Sequence, residues 1–343
     1  MGETNTLTRK IACPHCNNTI NVSGSPGETI EIKCPKCDTK GIFVFRVEKS
    51  VSEVKTGSFA IEVNNLEFTY PKSNKKAVNG ISFGIRKGEI FGFLGPNGAG
   101  KTTTQKIIIG LLKHYYGSVE ILGKNLNDWK TDIYNRIGVG FELPNHYQKL
   151  TALENLQFFA SFYRQKTIDP NLLLEMVELT NDANERVATF SKGMKSKLNF
   201  ARSLINDPEV LFLDEPTTGL DPVSSRLIKN IILQKRKQGK AVFLTTHNMS
   251  DADELCDRVG FIVEGKLVLV ESPKELKIKH GKKIVKVEYI QNQELVSQEF
   301  DLKNIADNSN FINLLQSGNV VTIHTAEATL EDIFIKATGR QLK

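Results

Sequence analysis

Apolar positions along the chain follow two rhythms, and their alternation outlines an α/β protein. Phe59-Ala-Ile-Glu-Val63 alternates apolar and polar residues as a half-buried strand does. Ile90-Phe-Gly-Phe-Leu94 is continuously apolar and strand-length, the pattern of a strand covered on both faces. A glycine-rich turn follows, then a helix pattern over Thr104–Leu112. Residues 143–205 read as mostly helical, with Leu153, Leu156, Phe159 and Ala160 on one face. Val210–Leu213 and Ala241–Leu244 are short apolar runs bounded by charges and turns. A helix over Ser224–Lys237 joins them into a βαβ unit with parallel strands.

Two smaller regions flank this body. Upstream, two cysteine knuckles and a strand-like run, Gly41–Phe45, precede the polar stretch Val47–Gly57, which reads as a linker. Downstream, Lys283–Tyr289 and Val320–His324 alternate as strands, and a helix is expected over Leu330–Ala337. The expected domains are therefore a small unit at 1–46, a linker at 47–57, an α/β domain at 58–272 with a helical subdomain at about 143–205, and an α+β accessory domain at 273–343.

Composition narrows the partners more than the fold. The 343 residues are 40% hydrophobic and 24% charged, an ordinary globular balance. The net charge of +6 is spread along the chain, without the concentrated basic stripe of a nucleic-acid binder. No apolar run approaches the ~18–20 residues that a membrane-spanning helix needs, and the polar start MGETNTLTRK lacks a secretory apolar stretch. The expectation is a cytoplasmic protein that meets a membrane only through another chain.

The chemistry begins at Gly95-Pro96-Asn97-Gly98-Ala99-Gly100-Lys101-Thr102-Thr103, which fits G-x-x-x-x-G-K-[ST] between a strand and a helix. Glycines let successive backbone N–H groups turn inward on an anion, and the helix N-terminus adds partial positive charge. Lys101 suits the β- and γ-phosphates of a nucleotide, and Thr102 offers a hydroxyl to Mg²⁺. The strand Val210–Leu213 runs into two carboxylates: Asp214 to hold Mg²⁺ and Glu215 to orient or deprotonate the attacking water.

Phe190-Ser-Lys-Gly-Met-Lys195 resembles the signature motif of ABC-type ATPases, in a variant common among exporter cassettes. Pro216-Thr-Thr-Gly-Leu-Asp-Pro222 resembles that family's D-loop, and Thr245-Thr-His247 resembles its switch histidine. Tyr70 matches the aromatic that stacks on adenine. The resemblance spans residues 59–272 and implies an ABC-type P-loop NTPase fold, a mixed sheet with a helical subdomain. It further implies a head-to-tail homodimer with ATP between the subunits, each ATP capped by Ser191 and Gly193 of the other copy. His247 would contact the γ-phosphate, and Asp221 would lie in the D-loop at the nucleotide interface. A transmembrane permease subunit is the implied partner, and the exporter-like signature and tail (Ala328–Phe334) favour export. One departure is Glu142, where the family usually has glutamine; its carboxylate can bind Mg²⁺ but adds negative charge beside phosphate.

Cys13-Pro-His-Cys16 and Cys34-Pro-Lys-Cys37 give C-x₂-C-x₁₇-C-x₂-C, a zinc-ribbon spacing for four structural thiolates. A redox dithiol pair or unligated cysteines are the other readings. His15 is surplus to a filled shell, and Cys256 reads as core. The competing function is an ATP-dependent regulatory or nucleic-acid module with the zinc ribbon as its binding head. A chromosome-type relative is disfavoured because the ~90 residues between P-loop and signature lack sustained heptads.

Overall fold

The computed structural model describes residues 7–12, 16, 18–25, 29–38, 40–44, 59–280, 284–326 and 328–339. Cys13, Phe45 and the expected linker at 47–57 lie outside the described residues. The chain divides into two compact units, Met1–Ser58 and Phe59–Lys343.

The first unit contains two antiparallel hairpins, β1 (Leu7–Ala12) with β2 (Thr19–Gly24) and β3 (Thr29–Lys33) with β4 (Lys40–Val44). The second cysteine knuckle, Cys34–Cys37, lies between β3 and β4, so the expected Gly41 strand is the outgoing arm of that hairpin.

The second unit opens with β5 (Phe59–Thr69), β6 (Lys76–Arg86), β7 (Ile90–Leu94), α1 (Lys101–Ile108), β8 (Tyr116–Ile121), β9 (Lys124–Asn125) and β10 (Ile137–Gly140). The helical segment contributes α2 (Ala152–Ala160), α3 (Pro170–Met176) and α4 (Lys192–Ser203). Then come β11 (Val210–Asp214), α5 (Pro222–Lys237), β12 (Ala241–Thr246), α6 (Met249–Leu255), β13 (Arg258–Val263), β14 (Lys266–Glu271) and α7 (Pro273–His280). The tail holds β15 (Ile284–Gln291), β16 (Glu294–Asp301), α8 (Ser309–Gln316), β17 (Val320–Ala326) and α9 (Leu330–Thr338).

The central sheet has the order β10-β11-β12-β7-β13-β14, parallel except for β14. Successive side chains of a strand face opposite sides, and here both sides are covered. Phe91, Phe93, Phe212 and Phe243 face the antiparallel sheet β6-β5-β8-β9, where Phe83 of β6 stacks on Phe91 at 5.3 Å. Ile90, Leu94, Leu211, Leu213, Val242 and Leu244 face the helices. Burial on both sides is why these strands read as unbroken apolar runs.

Helix ends follow local chemistry. Thr151 and Glu154 form a reciprocal capping box on α2. Asp221 caps α5 and Pro222 opens it, so that helix starts two residues earlier than the expected Ser224. α1 also begins earlier than expected, at Lys101, because Gly100 (φ +113°) turns the chain directly into it; a Cβ there would sit 2.5 Å from the Ala77 carbonyl oxygen. Cys256 lies just past the end of α6 and is buried.

The tail sheet, β16-β15-β17, packs Val285, Val287 and Phe300 against Phe311 and Leu314 of α8. α9 does not join that small core. Its Leu330, Ile333 and Phe334 belong to the core that the central sheet shares with the helices, with Phe334 edge-to-face on Phe261 of β13 at 5.2 Å.

Candidate active site

In parallel α/β sheets, loops at the C-terminal strand ends converge on one edge. Four adjacent strands do so here: β10 delivers Glu142, β11 delivers Asp214 and Glu215, β12 delivers Thr245, Thr246 and His247, and β7 delivers the glycine-rich loop. Glu142, Asp214, Glu215 and His247, together with Tyr70 and Ala77, line a cleft of about 400 Å³, with Thr245 and Thr246 buried behind it. Asn97, Gly98, Gly100, Lys101, Thr102 and Thr103 reach its surface from the loop. Gly95, Pro96 and Ala99 support the loop from behind, where a Cβ on Gly95 would lie 2.2 Å from the Ile262 carbonyl oxygen.

Lys101 is buried and donates to the carbonyls of Gly95 (2.6 Å) and Pro96 (3.1 Å). Burial pulls its pKa down, against the opposing pull of Glu215, Asp214 and Glu142. The Thr102 hydroxyl donates to Asp214 at 3.3 Å, and Thr245 donates to the other Asp214 oxygen. Burial raises the Asp214 pKa, and these hydrogen bonds oppose the rise. A hydroxyl beside a buried carboxylate at the foot of a phosphate-type loop is a donor set suited to Mg²⁺.

Glu215 is buried with φ +50°, a conformation uncommon for a non-glycine residue. Its Oε1 accepts from the His247 backbone N–H (2.9 Å) and lies 2.6 Å from His247 Nδ1. Its Oε2 accepts from the hydroxyls of Thr218 (2.9 Å) and Thr246 (3.1 Å). Tyr70 is exposed at the mouth, its hydroxyl 3.1 Å from that of Thr103, and its ring is edge-to-face with Phe68.

Three further residues named from sequence, Ser191, Gly193 and Asp221, also do not line this cleft within one chain. Ser191 is the exposed N-cap of α4, its hydroxyl accepting from Met194 N at 3.2 Å, and Gly193 follows in the first turn. Asp221 caps α5 through Val223 N (3.0 Å) and Ser224 N (2.9 Å); hydrogen bonding from Ser224 lowers its pKa. Leu220 lies near Gly193, so the 216–221 segment and the signature turn sit side by side.

The 52% identity to the fluoroquinolones export ATP-binding protein of Mycobacterium tuberculosis (strain ATCC 25618 / H37Rv) runs over 297 residues, 86% of this chain and 99% of that one. The chain belongs to the ABC transporter ATP-binding proteins. It is an ABC-type ATPase subunit. The ABC transporter family matches residues 78–218, and the family described as the fluoroquinolone efflux ABC transporter C-terminal domain matches residues 283–327. The bacitracin transport ATP-binding protein BcrA of Bacillus licheniformis is 35% identical over 81% of this chain and 97% of its own. Among solved structures, an ATP-binding subunit of an ABC transporter aligns with TM-score 0.59 and 27% identity, over 64% of this chain and 92% of that one. A dimeric post-hydrolysis ATP-binding cassette bound to ADP and Pi aligns with TM-score 0.57 and 28% identity, over 62% and 98%. ABC ATP-binding subunits of this kind bind nucleotide, dimerise and work with membrane permease components. Among the described residues no helix of this ABC subunit is long and apolar enough to cross a membrane.

A second cleft of about 460 Å³ opens beside Glu142. It is lined by Tyr134, Phe141, Tyr147, Phe159, Tyr163 and Arg202, among others. Arg202 of α4 stacks on Phe159 at 4.6 Å and donates to the Asn145 carbonyl at 2.5 Å, while Asn199 donates to the Phe141 carbonyl at 2.7 Å. The loop behind Glu142 is thus fastened to the signature helix. Neither this cleft nor the hydroxyls of Thr218 and Thr246 is visible in sequence, because each is assembled from separate segments.

In the first unit, the sulfurs of Cys16, Cys34 and Cys37 lie within 4.8 Å of one another, Cys16 and Cys34 at 3.6 Å. Zn–S bonds of ~2.3 Å at tetrahedral angles separate sulfurs by about 3.8 Å, so the described thiols fit a zinc shell.

Proposed function

We propose that this subunit is the ATP-hydrolysing motor of an exporter, acting on the cytoplasmic face of the membrane through a separate permease chain. Fluoroquinolones, named in its 52% identical relative, are the first candidate cargo. The observation that carries the reading is the convergence of Lys101, Thr102, Asp214, Glu215 and His247 on one cleft.

Adenine stacks on Tyr70, and Lys101 neutralises the β- and γ-phosphates while the N–H groups of Asn97–Thr103 cradle them. Thr102 and Asp214, with Glu142 beside them, would hold Mg²⁺, which supplies charge neutralisation at the phosphates. Glu215 orients the attacking water and takes up its proton. Both Glu215 oxygens are engaged by donors of its own chain, so the His247 ring must leave Oε1 before water can replace it. A ring turned toward the γ-phosphate makes that exchange, joining nucleotide sensing to base activation. Ser191, Gly193 and Asp221 act on the partner copy's nucleotide, which accounts for their distance from their own cleft. The aromatic cleft beside Glu142 receives the permease. Cys13, Cys16, Cys34 and Cys37 hold a structural zinc ion.

The test is turnover and assembly in the full chain. Lys101→Ala abolishes Mg²⁺-dependent ATPase. Glu215→Gln binds ATP, loses about 10²–10⁴-fold in hydrolysis, and accumulates as an ATP-bound dimer on size exclusion. Parental turnover in either variant refutes the assignment.

A further inference from the structure

Asp251, on the first turn of α6 and four residues beyond His247, is 7% exposed and does not line the nucleotide cleft. Its Oδ2 accepts from the Thr217 hydroxyl at 2.6 Å and from Asn248 Nδ2 at 3.2 Å. Its Oδ1 accepts from Lys229 Nζ of α5 at 3.0 Å, and Lys229 also binds Glu254. Asn248 in turn caps α6 by accepting from the backbone N–H groups of Ser250 and Asp251. One carboxylate therefore joins three segments: the turn after Glu215, the helix after that turn, and the helix after His247.

Packing alone does not call for this arrangement. A buried ion pair is no more stabilising than apolar residues of similar shape, and the neighbouring core is apolar, with Ala252 and Leu255 of α6 fully covered. What the carboxylate supplies is register. Glu215 sits in a left-handed conformation that the surrounding bonds must hold. On one side its N–H donates to the Thr245 carbonyl at 3.0 Å; on the other the turn closes by Thr218 N to the Glu215 carbonyl at 3.1 Å. Thr217 is the residue inside that turn whose hydroxyl leaves it, and it leaves for Asp251.

We propose that Asp251 is a positioning residue for hydrolysis: its carboxylate locks the turn that begins at Glu215 to the helix that follows His247, so that the backbones of base and histidine shift as one body when the 216–221 segment moves. The inference rests on the reading of Glu215 as the hydrolytic base.

Thr217→Val, Thr217→Ser, Asp251→Asn and Glu215→Gln in the full chain, assayed for kcat, KM for ATP and Tm, test it. Thr217→Val cuts only the tether and leaves the Lys229 pair. The expected result is a ten- to hundred-fold loss of kcat in Thr217→Val and Asp251→Asn, the scale of a misplaced reacting group, with KM within about two-fold. Thr217→Ser, which loses the methyl that valine retains but keeps the hydroxyl, returns to within about two-fold of the parent. If Asp251→Asn fails to fold, the valine–serine pair decides. Lowered Tm with unchanged kcat in Thr217→Val, or a serine variant as slow as the valine one, overturns the positioning role. Parental turnover in Glu215→Gln would instead sink the reading of the site, and this inference with it.

Discussion

His146 shows how a single side chain ties stability to acidity. It is buried beside the signature helix with Nε2 3.0 Å from the Lys195 carbonyl, so the neutral ring donates there. Burial pushes its pKa down to about 4, with Arg202 and Lys195 adding repulsion and the Lys195 carbonyl opposing. In the unfolded chain the ring titrates near 6.5. Between those values the unfolded chain takes up a proton that the folded chain refuses, so stability falls as pH falls from about 6.5 toward 4. The full loss is about 3 kcal/mol. Denaturant titrations at pH 7 and pH 4.5 measure it: the parent loses stability across this interval, and His146→Gln loses less by most of that amount. Equal losses in both would remove His146 as the source. Glu215 is the opposite case, a residue whose geometry is governed by four donors and a left-handed backbone, with its consequence in turnover.

Among the elements, α9 carries the most specific expectation. Phe334 is fully buried against Phe261, on a helix whose other contacts include α6 and α7. Phe334→Ala removes a buried aromatic and should cost ~3–5 kcal/mol, read as a lowered urea midpoint, with Phe334→Leu recovering much of it. A midpoint unchanged within error would mean that α9 is not docked. None of this docking could be read from residues 330–337, whose pattern announces a helix but not its seat. The central strands were legible because Ile90–Leu94, Val210–Leu213 and Ala241–Leu244 are apolar on both faces, and the phosphate loop because its residues are consecutive. The alternation of β5 stops being readable after Val63 for a local reason: the ladder shifts register between Val63 and Leu66, where Asn65 takes φ +48°. The Asp251 cluster escaped notice because its partners come from three separated segments.

For the molecule as a whole, the first unit is the part that the proposed zinc ion would hold together. A unit of this size, Met1–Ser58, has little room for a core of its own, so the zinc assignment predicts one Zn²⁺ per chain by metal analysis. Chelation should release it with loss of the hairpin β-signal, and Cys34→Ser should bind none. A metal-free unit that keeps its hairpins would refute the assignment. In the second unit the return of α9 to the body across the tail sheet bears on biosynthesis. As the chain leaves the ribosome, β13 emerges long before the ring that Phe261 packs against. The body is therefore incomplete through the whole translation of the tail, and an interruption there leaves an apolar seat open for a chaperone or for a neighbouring nascent chain.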